Sequence, residues 1–165
     1  MHGSNYRQIK GMAYTSKKFA PGAPQLKIAK FTGGAGRSDY ELLVSLVTQE
    51  RAQIRHNALE AARVSLNRVM AEIGETEFFS LLKVYPHVIL RENKMIATAG
   101  ADRLQEGMRR AFGKPVGLAA RVEIGKTIIE LKIKKVNLDK ARQAMKRASS
   151  KLPVKTEILV TDIVK

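Results

Sequence analysis

Cysteine is absent from the 165 residues, which excludes a disulfide framework, a thiolate zinc site and a cysteine nucleophile. Tryptophan is absent as well. Aromatics make up only 5% of the chain, which argues against a platform for stacking single-stranded bases. No apolar run approaches the roughly 18–20 residues that a membrane span needs. Residues 1–10 are polar and carry no apolar stretch of the kind that directs secretion, so a cytoplasmic protein is expected. Acidic residues are missing over long distances. There are none from residue 1 to 38, and Asp139 stands alone from 131 to 155.

What fills those stretches is positive charge. Thirty Lys and Arg face fifteen Asp and Glu, a net charge of +15 and a pI near 10.3. Such an excess repels itself unless an anionic partner neutralises it, and nucleic acid is the natural partner. A membrane surface is disfavoured because no basic amphipathic helix carries a bulky Leu, Phe or Trp face. With few aromatics, recognition through backbone and shape is expected. A hydrophobic fraction of 44% in 165 residues suits one globular RNA-binding domain spanning 1–165.

Residues 1–22 show little periodicity and read as an extended basic arm, ordered by RNA. Residues 25–31 read as a short strand, 33–36 as a flexible glycine loop and 40–47 as a second strand. Thr48 is placed to cap a helix with Glu50 in its first turn, continuing through Ile54, Ala58, Ala62, Leu66, Val69 and Ile73 to Gly74. Residues 78–84 and 87–91 suggest a hairpin through Tyr85-Pro86. Residues 119–124 and 127–134 suggest another around Gly125-Lys126. Asn137 can cap a second helix bearing Leu138, Ala141, Met145, Ala148 and Leu152, stopped by Pro153, and 156–160 reads as a last strand. The expected fold is therefore α+β: an antiparallel or mixed sheet built from hairpins, two amphipathic helices packed on it, the arm and a long Gly-rich basic loop.

No catalytic constellation emerges. Gly125-Lys126-Thr127 lacks the upstream glycine of a phosphate-binding loop, since position 120 is Ala120. Gly34 and Gly36 open a dinucleotide fingerprint that fails at Asp39. His2, His56 and His87 lie far apart in the chain, without acids at metal spacing. Glu72, Glu75 and Glu77 read as a solvated cluster. No enzyme, metal or cofactor is expected. The candidate RNA contacts are Arg7, Lys17 and Lys18 in the arm, Arg51, Arg55 and Arg63 along one helix face with His56 beside them, and Lys146 and Arg147 in the C-terminal basic segment.

Residues 99–117, AGADRLQEGMRRAFGKPVG, are the most informative. Four glycines let backbone approach a ligand, arginines pair with phosphate, and the stretch is too long for an ordinary connection. Preceded by RENKM at 91–95, this loop closely resembles the large-subunit ribosomal protein family called L-sixteen in bacteria and L-ten-e in archaea and eukaryotes. QIRHNALEAARV at 53–64 and, more loosely, PGAPQLKIAKF at 21–31 resemble its archaeal branch. The likeness runs from about Tyr6 to Val160.

The resemblance implies a structural protein of the large ribosomal subunit, bound to ribosomal RNA near the peptidyl transferase centre. It implies that the loop points toward bound transfer RNA and helps position aminoacyl-tRNA. By motif the loop residues are Arg103, Gln105, Met108, Arg109, Arg110, Phe112 and Lys114. The residues docking on ribosomal RNA are Arg55, His56, Arg63, Arg91, Asn93, Lys94 and Arg121. Other ribosomal proteins and assembly factors are expected partners, with no homo-oligomer. Arg110 departs from the Gly that eukaryotic relatives tend to carry, and the arm lacks their cysteines and arginine-rich start. A free RNA-binding translation or assembly factor is the alternative reading.

Overall fold

The computed structural model describes residues 1–16, 18–36, 39–95 and 107–163. Its strands are β1 (Thr32–Gly34), β2 (Leu42–Thr48), β3 (Ala52–Arg55), β4 (Phe78–Leu82), β5 (Val88–Glu92), β6 (Lys114–Val122), β7 (Thr127–Ile133) and β8 (Thr156–Asp162). The α-helices among the described residues are α1 (His56–Met70) and α2 (Leu138–Ser149). The fold is α+β, as expected. Every strand pair is antiparallel, in a five-stranded sheet of order β1-β4-β7-β2-β8 and a three-stranded sheet of order β3-β6-β5.

Three long segments build both sheets. Each of 42–55, 78–92 and 114–133 gives one strand to the large sheet and one to the small sheet. At the bend the pairing continues: the Thr48 N–H donates to the Lys126 carbonyl (3.0 Å), the Gly125 N–H to the Thr48 carbonyl (2.8 Å) and the Lys83 N–H to the Ile128 carbonyl (2.9 Å). The two expected hairpins are therefore corrected. Neither β4 and β5 nor β6 and β7 pair with each other. The turns at Tyr85-Pro86 and Gly125-Lys126 carry the chain from one sheet to the other, and each strand takes its partner from a distant segment.

The helical start read at Thr48 is also corrected. Thr48 ends β2, and its hydroxyl accepts the Glu50 N–H (3.2 Å) and donates to the Glu50 carbonyl (2.6 Å). Its capping capacity closes a turn. Ala52 to Ile54 are buried on a strand paired with β6, and α1 begins only at His56. The helix ends at Met70, with a turn between it and Gly74. Because Ile54 lies four residues before Ala58, the strand's buried residue mimicked the helical period.

Residues 25–31 form no strand. The strand lies instead in the supposed flexible glycines, as β1. A side chain at Gly33 would sit 2.7 Å from the Ser80 hydroxyl, and one at Gly34, where φ is +78°, would collide with the Phe78 carbonyl. These glycines permit close approach rather than motion.

Both helices cover one face of the large sheet. The alternation in β2 buries Leu42, Val44, Leu46 and Thr48. Leu59, Ala62, Leu66, Val69 and Met70 of α1 meet Ala141, Ala144, Met145 and Ala148 of α2 in the same core. The small residues of α2 let it sit close. The two helices run antiparallel, with Lys140 near the start of α2 bonded to Glu72 just past the end of α1 (2.8 Å). Asn137 stands at the cap position of α2, although its side chain makes no cap bond.

Candidate nucleic-acid interface

Among the described residues no helix covers the outer edges of the small sheet, and unpaired edge N–H groups need partners. The arm supplies them. At the β3 edge the Gln53 N–H donates to the Arg7 carbonyl (2.8 Å). At the β5 edge the Ile89 N–H donates to the Tyr14 carbonyl (2.7 Å). Between them, Arg121 of the central strand donates to the Gly11 carbonyl (2.9 Å). Gln53 is used from both ends: its amide donates to the Tyr6 carbonyl (2.7 Å) and its carbonyl accepts Arg121 Nε (3.3 Å). The arm thus crosses the small sheet from edge to edge on bonds that the protein itself provides.

The loop leaves and re-enters this sheet beside the arm. Glu92 pairs with Lys114 and Arg91 with Pro115, after a bulge at Leu90/Arg91. Gly113 packs so tightly here, at φ +77°, that a side chain would lie 2.6 Å from the Glu92 backbone carbon. The Arg91 guanidinium lies 3.6 Å from the Phe112 ring centre and 4.1 Å from that of Tyr14. Those rings meet edge to face at 5.8 Å, and Arg91 also donates to the Phe112 carbonyl (2.8 Å). One arginine therefore fastens arm, sheet and returning loop together. Asn93 reaches across the loop base to the Gly107 carbonyl (3.2 Å). A cleft of about 330 Å³ opens beside this cluster, lined among others by Lys10, Met12, Arg91, Asn93 and Arg121.

Beyond the cluster the described part of the loop is exposed. Met108 is 85% exposed, and Arg109, Arg110 and Lys114 are exposed with it. Arg110 has φ +58°, a left-handed conformation that glycine adopts more readily. Arg103 and Gln105 of the loop, and Lys17 of the arm, lie outside the described residues.

The other candidates divide by what already holds them. Arg7 is paired with Glu50, and Arg51 with Glu123 at 3.0 Å. Arg63 grips both oxygens of Glu60 (2.9 and 2.7 Å). That bond holds the Glu60 carboxyl below its ordinary range and the Arg63 guanidinium above its own. Arg51, Arg55 and Arg63 do not share a helix face as expected, because Arg51 lies in the link between β2 and β3, Arg55 ends a strand and only Arg63 is within α1. Arg55 lies 5.6 Å from the Tyr6 ring centre, and its buried Nε has no hydrogen-bond partner.

His56 is 2% exposed, which corrects its expected surface placement. Its Nδ1 accepts the Lys27 N–H (3.3 Å), and desolvation, then the charges of Lys27 and Arg55, push its pKa below the ordinary value. Lys18 sits 6.0 Å from the Phe19 ring centre. Lys94, Lys114, Lys146 and Arg147 are exposed.

Tyr6, Tyr14 and Gln53, which organise this surface, went unnoticed in the sequence. An isolated tyrosine in a polar arm was the available signal for Tyr14. Among the described residues no group of three or more His, Asp or Glu could hold a metal ion, and no helix is long and apolar enough to cross a membrane. What the surface offers is arginine and lysine donors on a fixed scaffold, chemistry suited to phosphate.

Residues 8–159 match the family model described as ribosomal protein L16p/L10e. Among curated relatives, the large ribosomal subunit protein uL16 of Metallosphaera sedula is 52% identical over 164 residues, covering 98% of this chain and 94% of the relative. That of Saccharolobus solfataricus is 54% identical over 159 residues, covering 94% and 89%. That of Hyperthermus butylicus is 51% identical over 155 residues, covering 93% and 86%.

Proposed function

The chain belongs to the ribosomal protein L16p/L10e family, structural proteins of the large ribosomal subunit rather than enzymes, and from that premise we propose how it works there. Its small-sheet side, with arm and loop, binds ribosomal RNA near the peptidyl transferase centre. Its loop helps position aminoacyl-tRNA.

The observation that carries this reading is the fastening of the loop base. Arg91, Tyr14 and Phe112 hold the two ends of a basic, exposed loop on a paired sheet. A loop so anchored can reach a neighbouring phosphate backbone from a fixed origin, which lowers the ordering cost of contact. Arg109 and Lys114 are the described donors for transfer RNA. Arg55, Lys94 and Lys18 are the donors for ribosomal RNA on this side, whereas Lys146 and Arg147 lie on α2, over the large sheet. Arg91 and Arg121 support the surface from beneath through bonds within the protein. His56 is left out of the contact set, because it is buried and already accepts a backbone N–H.

Sedimentation separates this reading from that of a factor that visits the ribosome. After washes at moderate salt the protein stays with the large subunit in equal number to other structural proteins. Release into the supernatant under those washes would favour the visiting factor. On the same subunits, Arg109→Glu with Lys114→Glu lowers transfer-RNA affinity by about tenfold or more, by repulsion of phosphate. Unchanged affinity would remove the loop from that role.

A further inference from the structure

We propose that the groove between α1 and α2 is a second RNA-docking surface, taking the phosphodiester backbone of an RNA helix distinct from the one under the arm and loop. This rests on the reading of the chain as a ribosomal-RNA-bound protein.

The groove has a volume of about 430 Å³. Ala61, Val64 and Ser65 line it from α1, with Ser150 from the turn after α2. Arg68, Arg147 and Lys151 converge on it, all three exposed. None of the three makes a side-chain hydrogen bond or ion pair with a described residue. Their neighbours do: Lys140 holds Glu72 at 2.8 Å and Arg63 holds Glu60 at 2.7 Å. No acidic residue is among the described residues that line the groove. The groove shares no lining residue with the cleft beside Arg91.

Three cations share the groove with Glu72 near Arg147 and Arg68, and that carboxylate is already bonded to Lys140, so the three repel each other unless a further anion lies between them. Helix dipoles account for Arg68 and Arg147 in last turns, where a cation is favoured. They do not account for the convergence, because Lys146 in the same last turn stays out of the groove, and Lys151 lies beyond the helix.

The shape argues for nucleic acid over an acidic protein segment. The floor is small and smooth, with Val64, 49% exposed, its largest apolar group. A protein partner would want aromatic or bulky anchors at the centre of its contact. A sugar–phosphate ridge wants a shallow trough rimmed by guanidinium and ammonium donors, with hydroxyls such as those of Ser65 and Ser150 within reach.

The test uses the full chain and large-subunit ribosomal RNA. Binding is measured across a range of salt for the wild type and for the Arg68→Ala, Arg147→Ala, Lys151→Ala triple variant. Each lost phosphate contact lowers the log–log slope by roughly 0.7–0.9, so the triple variant loses about 2–3 units. Its melting temperature stays that of the wild type because the side chains are exposed. Arg68→Lys with Arg147→Lys keeps most of the slope.

Because the chain has no cysteine, an iron–chelate cleaver can be attached at Val64→Cys alone. In reconstituted subunits it cuts ribosomal RNA at sites different from those cut from Met108→Cys. A wild type that binds with normal salt dependence, beside a triple variant of unchanged slope, overturns the groove and leaves the family function standing. A wild type that does not bind ribosomal RNA overturns both. Cleavage of a neighbouring polypeptide with no cut in RNA makes the occupant a protein and overturns the proposal.

Discussion

The two sheets are made from the same three segments but are held in different ways. In the large sheet Val44, Leu46, Leu131 and Ile133 are fully buried under α1 and α2. The small sheet shares that core through Ala52, Ile54, Ala120 and Val122, but its outer side is fastened by polar bonds to an arm and by one arginine between two rings. Apolar burial is non-directional and strong in sum, so it sets stability. Hydrogen bonds and stacked guanidinium are directional and individually modest, so they set position. A surface that must present charged groups to RNA gains from the second kind of bond, and the first kind gives it a body to stand on.

Mutation on the two sides should separate these roles. Leu131→Ala, at the centre of the large sheet, is expected to cost about 2–5 kcal/mol by lost burial and cavity formation. Urea unfolding measures it, and a cost below about 1 kcal/mol would mean that the large sheet is not the stabilising body. On the other side Arg91→Ala removes a carbonyl bond and two ring contacts, worth about 1–3 kcal/mol locally. It should speed protease cleavage and amide exchange at 107–113 and in the arm near Tyr14, with little change in the main unfolding transition. If the whole fold melts instead, the cluster belongs to the core.

Smaller effects refine the contrast. Arg63→Ala breaks an ion pair whose side chains are 17% and 21% exposed and should cost about 0.5–1 kcal/mol, with little loss of RNA affinity. Arg55→Ala should do the reverse, because no carboxylate among the described residues holds Arg55. Equal effects on both measures would dissolve the distinction between held and free arginines.

The smallest effect is acid sensitivity. His56 has a pKa below its ordinary value of 6.5 in the folded state, so the unfolded chain binds its proton more readily. Its stability contribution is complete above about pH 6.5 and is lost as pH falls through the folded pKa. Between about pH 7.5 and 5.5 the wild-type melting temperature should fall more than that of His56→Gln. Glu60 does not confuse this window, since its carboxyl titrates below 4.5. Parallel curves would show that His56 does not titrate there.

The sequence made β2, β8 and both helices legible, because burial alternation and helical spacing are local properties. The start of α1 was misplaced because Ile54 satisfies a helical spacing while lying on a strand. The hairpins were misread for a different reason. Turn chemistry at Tyr85-Pro86 and Gly125-Lys126 says that the chain bends but not which strand it will meet afterwards. That choice depends on pairings such as Gln53 with Arg121, 68 residues apart. Charge counting marked the basic segments but could not tell Arg63, already held by Glu60, from Arg55. The motifs carried the loop and its base, while Tyr14 and Gln53 act through partners far along the chain and left no local mark.

The account rests on the loop being a working extension of a securely docked body. The direct measurement is to assemble large subunits with Arg109→Glu, Arg110→Glu protein and determine, on the same particles, its occupancy and the affinity for aminoacyl-tRNA. Occupancy should match the wild type, because the arm, the small sheet and the cations outside the loop are intact, while aminoacyl-tRNA affinity falls by about tenfold or more through repulsion of phosphate. Full occupancy with unchanged affinity and unchanged peptide synthesis would contradict it, leaving the loop as a surface insertion.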